Sequence, residues 1–145
     1  MLAKYWRLHV YWVGDQTLTF NDGAAVNVRA LPWKLTAGAL VYGTVITDDL
    51  GFGAGQTIAT TGSSEGDVQD NTSNLNIGVK GFFEVIADLT STDGTAYLYL
   101  EESDDNSNWP SDGTDFHITS HLRLVAAVAL STDAVDEKAS VNFEF

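Results

Sequence analysis

The chain has 145 residues, no cysteine and a formal net charge of −13, from 20 acidic and seven basic side chains. This length suffices for one domain with a buried core, and the lack of cysteine excludes disulfide bridges and thiolate metal sites. No apolar run is long enough to cross a bilayer, and Arg7 and His9 interrupt the N-terminus where a signal peptide needs an apolar core. We therefore expect one soluble domain over residues 1–145, with no membrane partner.

The charge is unevenly distributed along the chain. Residues 1–34 carry four basic and two acidic side chains, a net charge of +2, whereas the remainder carries three basic and 18 acidic ones, a net charge of −15. An acidic surface repels nucleic acid, so we expect no nucleic-acid partner. The first segment also holds three of the four tryptophans, and aromatic residues with arginine are common at protein interfaces. It is therefore a candidate contact surface, unless its tryptophans fill the core.

Alternation of apolar and polar residues predicts β-strands along most of the chain, and the sequence shows no amphipathic helical stretch. In the first strand the even-numbered side chains from Trp6 to Trp12 form one face, which we assign to the core. The opposite face carries Tyr5, Arg7, His9 and Tyr11. Pro32 is expected to end the next strand or to place it at a sheet edge, and residues 40–47 predict a further strand.

Residues 48–78 differ from their surroundings because they are rich in glycine, serine and asparagine. We interpret them as a long loop, with one or two short strands, inside the single domain. A loop of this length in a compact domain commonly has a function. It is either a contact arm in an assembly or a simple crossing of the surface.

The second half of the chain has the most regular pattern. Two alternating runs flank Asp93 and Gly94, which predict a hairpin turn. Residues 122–130 have little polarity on either face, so this strand is either central in its sheet or covered by a neighbouring subunit. Val141, Phe143 and Phe145 give the last strand a buried face. The whole pattern predicts an all-β fold, a single antiparallel β-sandwich that is jelly-roll-like and has eight to ten strands.

The acidic loop at residues 101–115 is the most tempting site for a metal ion. Asp104, Asn106, Asn108 and Asp115 match positions 1, 3, 5 and 12 of a calcium-binding loop, but Trp109 occupies the position that requires glycine. A hairpin loop uses the same residue types, and this is the interpretation that we favour. We expect no metal and no other cofactor.

Patterns that carry catalysis are weak. The chain has three histidines, His9, His117 and His121. A zinc site needs a further ligand at a suitable spacing, and the sequence offers none. The sequence contains no Gly-x-Ser-x-Gly nucleophile motif and no phosphate-binding glycine loop with its lysine. Paired acids that cleave glycosides are the remaining enzymatic alternative, because acids are numerous. We interpret the chain as a non-enzyme.

Aromatic side chains indicate another kind of surface. Tyr97, Tyr99 and Trp109 are candidates for a platform on which sugar rings stack. Cross-strand packing of tyrosines is the alternative explanation.

Several segments of the second half resemble small virion structural proteins of tailed bacteriophages. The segments are residues 81–85 (Gly-Phe-Phe-Glu-Val), 92–95 (Thr-Asp-Gly-Thr), 97–103 (Tyr-Leu-Tyr-Leu-Glu-Glu-Ser), 108–112 (Asn-Trp-Pro-Ser-Asp) and 141–145 (Val-Asn-Phe-Glu-Phe). Such proteins are β-sandwiches or jelly rolls, and they serve as capsid decoration (cement) proteins or as tail and fibre components. The likeness covers about the last 65 residues and implies no catalytic residues.

The resemblance implies a virion protein that assembles in the host cytoplasm. Its expected role is capsid decoration, in which a homo-oligomer such as a trimer binds the major capsid protein and stabilises the head. The alternative is a tail- or fibre-associated adhesion module that binds a host surface glycan. We expect Tyr5, Arg7, His9 and Tyr11, together with Trp33, to contact the capsid or a sister subunit. Replacing Arg7 and Tyr11 with alanine is expected to weaken assembly and to leave the fold intact.

Overall fold

A computed structural model describes residues 1–19, 28–46, 51–52, 57–87, 92–111, 122–132 and 137–145. Within these ranges the secondary structure consists of β-strands. The strands are β1 (Tyr5–Gly14), β2 (Leu18–Thr19), β3 (Val28–Thr36), β4 (Ala39–Tyr42), β5 (Thr57–Ile58), β6 (Thr61–Glu65), β7 (Gln69–Asp70), β8 (Gly78–Ala87), β9 (Thr92–Ser103), β10 (Arg123–Thr132) and β11 (Glu137–Glu144). Three of these have only two residues, so eight strands are longer.

The longer strands form two antiparallel sheets that pack face to face, and the two-residue strands β2 and β5 pair separately with each other. Sheet I has the order β10–β9–β1–β6, with β7 also paired to β1, and sheet II has the order β11–β8–β3–β4. The pairs are nested: β3 pairs with β4 in sheet II while β1 pairs with β6 in sheet I, and β8–β11 and β9–β10 repeat this in the second half. Nested pairs that fold across two sheets are typical of a jelly roll. The predicted antiparallel β-sandwich is confirmed.

The core lies between the two sheets and is built from alternate residues of every long strand except β4 and β6. The predicted inward face of β1, from Trp6 to Trp12, is buried as expected. Side chains of the opposing strands complete the core, and they include Val28, Val79, Phe83, Val85, Leu98, Leu100, Val128, Leu130 and Phe143. Removing this much apolar surface from water is the main favourable contribution to folding.

The predicted hairpin turn at Asp93 and Gly94 is wrong. Both residues lie inside β9, and β8 and β9 belong to different sheets. Gly94 pairs with Gly14, and a Cβ atom at either position would overlap the indole ring of Trp12. The glycine is therefore needed for close packing against a core tryptophan, a role that has the same sequence signature as a turn.

Pro32 does not end its strand, which runs on to Thr36. Its carbonyl accepts a hydrogen bond at 2.8 Å from the N–H of Gly43, which lies just beyond the end of β4. The nitrogen of Pro32, which has no hydrogen to donate, lies on the same side of β3. One ladder hydrogen bond is lost there without a break in the strand.

Two further expectations are refined by the structure. The segment predicted as a long loop, residues 48–78, contains three short strands in its described part, and one of them, β6, is an edge strand of sheet I. The strand predicted to be either central or covered, β10, is also an edge strand, and its Leu124 is 52% exposed. Coverage by a neighbouring subunit therefore stays as the prediction for that apolar face.

Candidate interaction surfaces

The outer face of sheet I brings together two sets of residues for which the sequence predicted different functions, partner binding and glycan binding. Strand β1 is paired with β9 so that His9 lies opposite Tyr99 and Tyr11 lies opposite Tyr97. The predicted partner-binding face of β1 and the predicted glycan platform are thus one continuous surface. The separation of about 90 residues along the chain concealed this, because strand pairing is not encoded in the alternation of either strand.

Three tyrosines form a ladder across this face. The ring centroids of Tyr11 and Tyr97 are 6.5 Å apart and those of Tyr97 and Tyr99 are 6.4 Å apart, with tilted planes. Tyr11 and Tyr97 are partly exposed, whereas Tyr99 is buried. Burial raises the pKa of the Tyr99 phenol, and the neighbouring Tyr97 and Tyr11 raise it further. The rings of Tyr11 and Tyr97 are therefore the ones available to a ligand.

Arg7 is the centre of a polar cluster at one end of the same face. Its Nε donates to Glu101 Oε2 at 2.6 Å, its other nitrogens contact Glu65 Oε2 at 2.8 Å and Ser111 Oγ at 2.9 Å, and its guanidinium carbon lies 4.4 Å from the centroid of the Trp109 ring. The acidic loop thus folds back onto sheet I. Trp109 covers the arginine, so it is tied to this cluster and is not an independent part of a platform.

Glu101 is the buried acid of the cluster, with no exposed surface. Burial alone would raise its pKa, but hydrogen bonding with His9, Ser111 and Arg7 and the positive charge of Arg7 lower the pKa to about 2. His9 Nδ1 lies 3.8 Å from Glu101 Oε2, which is long for a hydrogen bond, whereas the Arg7 contact is 2.6 Å. We therefore take Arg7 to be the main partner of this carboxylate.

The cluster corrects the expected surface on β1. Tyr5, Arg7, His9 and Tyr11 do point away from the core, but Arg7 is only 7% exposed and His9 only 1%. A guanidinium that is already bonded to a buried carboxylate supports the fold, so alanine at Arg7 is no longer expected to leave the fold intact. Alternation in the sequence placed both Arg7 and Glu101 on outward faces of their strands. Their opposite charges were the one sequence feature that could have suggested their pairing.

Trp33 belongs to a different surface from the other predicted contact residues. It lies on the outer face of sheet II, directly opposite Gly78 in the pairing of β3 with β8. A Cβ atom at Gly78 would overlap the Trp33 ring, so the indole covers the glycine closely. The structure therefore divides the predicted contact residues between the two outer faces of the sandwich.

The outer face of sheet II is apolar along the β3–β4 hairpin, although it faces away from the core. Strand pairing aligns Trp33 with Tyr42 and Leu35 with Leu40. Leu35 is 57% exposed, Leu40 50% and Tyr42 45%. A depression of about 530 Å³ continues this face, and its lining includes Leu31, Val45, Phe82, Arg29 and Lys80. Sequence reasoning singled out only Trp33 here, because the apolar residues of β3 occupy both of its faces.

The β3–β4 hairpin also presents an open strand edge. Gly43 N bonds to Pro32 O, so alternation along the strand turns the backbone groups of Leu40 and Tyr42 away from β3. An exposed apolar edge strand is a template for pairing with another chain. Residues 28–46 contain Arg29 and Lys34 and no acid, a net charge of +2 in a chain of −13. Lys80 adds a further cation and donates to the Tyr42 hydroxyl at 2.7 Å.

The acidic loop organises itself around a residue outside the calcium template. Asp105 Oδ1 accepts from the backbone of Ser107 and of Asn108 at 2.9 Å each, and Oδ2 accepts from Asn108 Nδ2 at 2.6 Å. These hydrogen bonds lower the pKa of Asp105. Asp115, the last template position, and His117 and His121 lie outside the described residues. Within the described ranges no group of three histidine or acidic side chains is arranged to hold a metal ion.

The chain matches no protein-family model, no curated protein and no solved structure. In the part of the chain that the structure describes, no helix could span a membrane.

Proposed function

We propose that this chain is a non-enzymatic structural protein of a tailed-bacteriophage virion. In this proposal it decorates the capsid, binding the major capsid protein as a homo-oligomer such as a trimer and stabilising the assembled head. The likeness of residues 81–145 to small virion proteins supports a location in the virion. The outer face of sheet II supports binding to other protein surfaces as the mode of action.

The observation that carries the proposal is that the β3–β4 part of sheet II carries apolar side chains on its outward face as well. Antiparallel sheets with one solvated face normally alternate apolar inward and polar outward residues. Here Leu35, Leu40 and Tyr42 are about half exposed on the outward side. Contiguous exposed apolar surface of this kind marks interaction sites in soluble proteins. A cement protein needs such a surface, and many copies acting together make a modest contact per copy sufficient.

Charge does not select the partner of this face. Its cations Arg29 and Lys80 share the outer side of sheet II with the acids Glu84 and Glu144, so the charges balance. The apolar residues of the β3–β4 hairpin therefore carry the proposed contact with a sister subunit or with the capsid.

The direct experiment is mass spectrometry and cryo-EM of purified particles. We expect the chain on the head, at a copy number close to that of the major capsid protein or a simple fraction of it. A copy number in the range of tail components, or absence from the head, contradicts the decoration role.

A variant pair tests the surface. Leu40→Lys places a charge on the outer face of sheet II, and Leu75→Lys is the matched control, because Leu75 is 69% exposed in a loop outside both sheets. We expect Leu40→Lys to reduce oligomerisation and head occupancy while the melting temperature stays near that of the parent. Equal behaviour of the two variants would exclude this face.

A second candidate function is binding of a host glycan by a tail- or fibre-associated module. The specific observation in its favour is the Tyr11–Tyr97–Tyr99 ladder, in which the rings of Tyr11 and Tyr97 are partly exposed. Aromatic rings on a sheet face bind sugars by stacking and exclusion of water. A glycan array with Tyr97→Ala, and with Phe82→Ala as the control on the outer face of sheet II, separates the two functions. Loss of binding in Tyr97→Ala alone supports the glycan module.

A further inference from the structure

A second cavity, of about 440 Å³, opens between the β3–β4 hairpin and residues 69–76. Lys34 of β3 and Trp6 of β1 line it together with Gln69, Asp70, Asn74 and Asn76. Its volume falls within the roughly 300–1,000 Å³ that small-molecule sites occupy. This cavity is distinct from the tyrosine ladder and from the apolar depression on sheet II.

The wall that carries the amide side chains is held in place by the fold. Asn71 is 3% exposed, and its side chain donates to Ala3 O at 3.2 Å and to Asn76 O at 3.0 Å while accepting from Asn76 N at 2.8 Å. Both backbone groups of Asn76 are therefore fixed by one buried amide. A wall that is formed before a ligand arrives does not have to be ordered on binding, which favours affinity.

The two sides of the cavity are also connected to each other. Lys34 Nζ donates to the carbonyl of Asn74 at 2.9 Å, and Ile77 N donates to Trp33 O at 2.9 Å. Asp70 Oδ1 accepts from Thr72 N at 2.7 Å and from Thr72 Oγ1 at 2.6 Å, which orients the carboxylate. The hairpin and the 69–76 segment thus form one preorganised site.

The lining determines the chemical class of a ligand. Among the described residues that line the cavity, Lys34 and Asp70 are the charged ones, and their charges cancel, so neither an anion nor a cation is favoured. Gln69, Asn74 and Asn76 each carry an acceptor oxygen and a donor nitrogen in one plane. Adjacent hydroxyl groups of a sugar both donate and accept, so they match such side chains. An apolar ligand would remove the side-chain amides of Asn74 and Asn76 from water without offering them hydrogen bonds, which is costly.

We propose that this cavity binds a neutral saccharide unit, either as a free sugar or as the end of a glycan. The proposal rests on the cavity alone and does not depend on the assembly role of the chain. Recognition uses hydrogen bonds from the side-chain amides of Gln69, Asn74 and Asn76 and from Lys34.

The test is NMR titration of the isotope-labelled protein with glucose, galactose, mannose and N-acetylglucosamine, followed by their trisaccharides. We expect chemical-shift changes centred on Lys34, Gln69 and residues 74–76 for at least one sugar. Tighter binding of a trisaccharide identifies a glycan end, and equal binding identifies a free sugar. Titration with glutamine checks for a zwitterionic ligand, which Lys34 and Asp70 could hold between them.

Matched variants locate the contacts. Asn74→Ala and Gln69→Ala should each weaken binding by about three- to tenfold, the effect of one lost hydrogen bond. Asn142→Ala and Gln16→Ala make the same changes outside the cavity, at an exposed and a half-buried position, and should leave affinity unchanged. The melting temperature of each variant checks its folding. The proposal is overturned if no sugar binds, if the shifts centre on Tyr97 and Tyr99, if glutamine binds in place of sugars, or if all four variants bind equally.

Discussion

Arg7 and Glu101 face each other directly in sheet I, and the 2.6 Å contact between Arg7 Nε and Glu101 Oε2 pairs two nearly inaccessible charges. Burying either charge alone would be costly, because each loses its hydration. The pair therefore links the central strand β1 to β9. Breaking the contact would leave a buried charge without its partner, which would lower the stability of the fold. The pair also anchors the acidic loop, through Ser111 and Trp109.

Removing the arginine should strongly destabilise the protein. Arg7→Ala leaves Glu101 buried beside His9 without its main partner, and breaking a buried pair in this way costs about 3–5 kcal/mol. That is a large part of the roughly 5–15 kcal/mol that stabilises a typical domain. Urea denaturation at neutral pH measures the free energy of unfolding. Glu65→Gln is the control, because Glu65 is about half exposed and its pairing with Arg7 should contribute less than about 1 kcal/mol.

Acid should destabilise the protein over a defined pH range. The pKa of Glu101 is about 2 in the folded state against 4.5 for the ordinary side chain. A depressed folded-state pKa contributes stability that is complete above the unfolded value and is lost as pH falls from about 4.5 towards 2. Asp105, whose pKa is lowered by its loop hydrogen bonds, acts in the same direction.

Unfolding free energies measured from pH 7 to pH 2 test this dependence. Glu101→Gln should have a shallower decline below pH 4.5 than the parent, whatever its stability at neutral pH. Asp105→Asn should remove a separate part of the decline. An unchanged slope in Glu101→Gln would show that this carboxylate is not the group that titrates.

The fold class could be predicted from the sequence because alternation directly reports which side chains face the core. The even-numbered face of β1 and the packing of Phe143 followed from that pattern alone. Single glycines and prolines were less informative, because each of these residue types occurs in more than one structural role. Gly94 packs under Trp12 and does not turn the chain, and Pro32 sits where its missing N–H costs one hydrogen bond.

The candidate surfaces could be predicted only in part. Alternation identified Tyr11 and Tyr97 as outward residues, but it contains no information on which strands are neighbours, so the ladder between them was not foreseen. The cavity beside Lys34 depends on residues 69–76, a segment that lacks alternation and whose shape is set by the hydrogen bonds of one buried asparagine. Such tertiary arrangements have no periodic signature.

The close contact of Trp33 with Gly78 should make that glycine intolerant of a side chain. A Cβ atom at Gly78 would overlap the indole and lie 2.6 Å from the carbonyl oxygen of Phe145. We expect Gly78→Ala to destabilise the protein by about 1–3 kcal/mol, as overpacking does. Gly43→Ala is the matched control, because its nearest neighbour would be Pro32 O at 3.5 Å, and its effect should stay within about 0.5 kcal/mol. Similar losses in both variants, measured by thermal denaturation, would contradict the proposed overlap.

The turn of the β3–β4 hairpin offers a stabilising change. Ala37 and Gly38 have φ angles of 51° and 80°, the left-handed conformation that two-residue hairpin turns require at both positions. Alanine is disfavoured there, whereas asparagine adopts this conformation more readily. Ala37→Asn should therefore raise the free energy of unfolding by about 0.5–1 kcal/mol. Ala39→Asn, two residues further along and in a strand, should give no gain, because asparagine is depleted in strands. Thermal denaturation of the two variants side by side decides the matter, since a gain confined to Ala37→Asn can come only from the turn conformation.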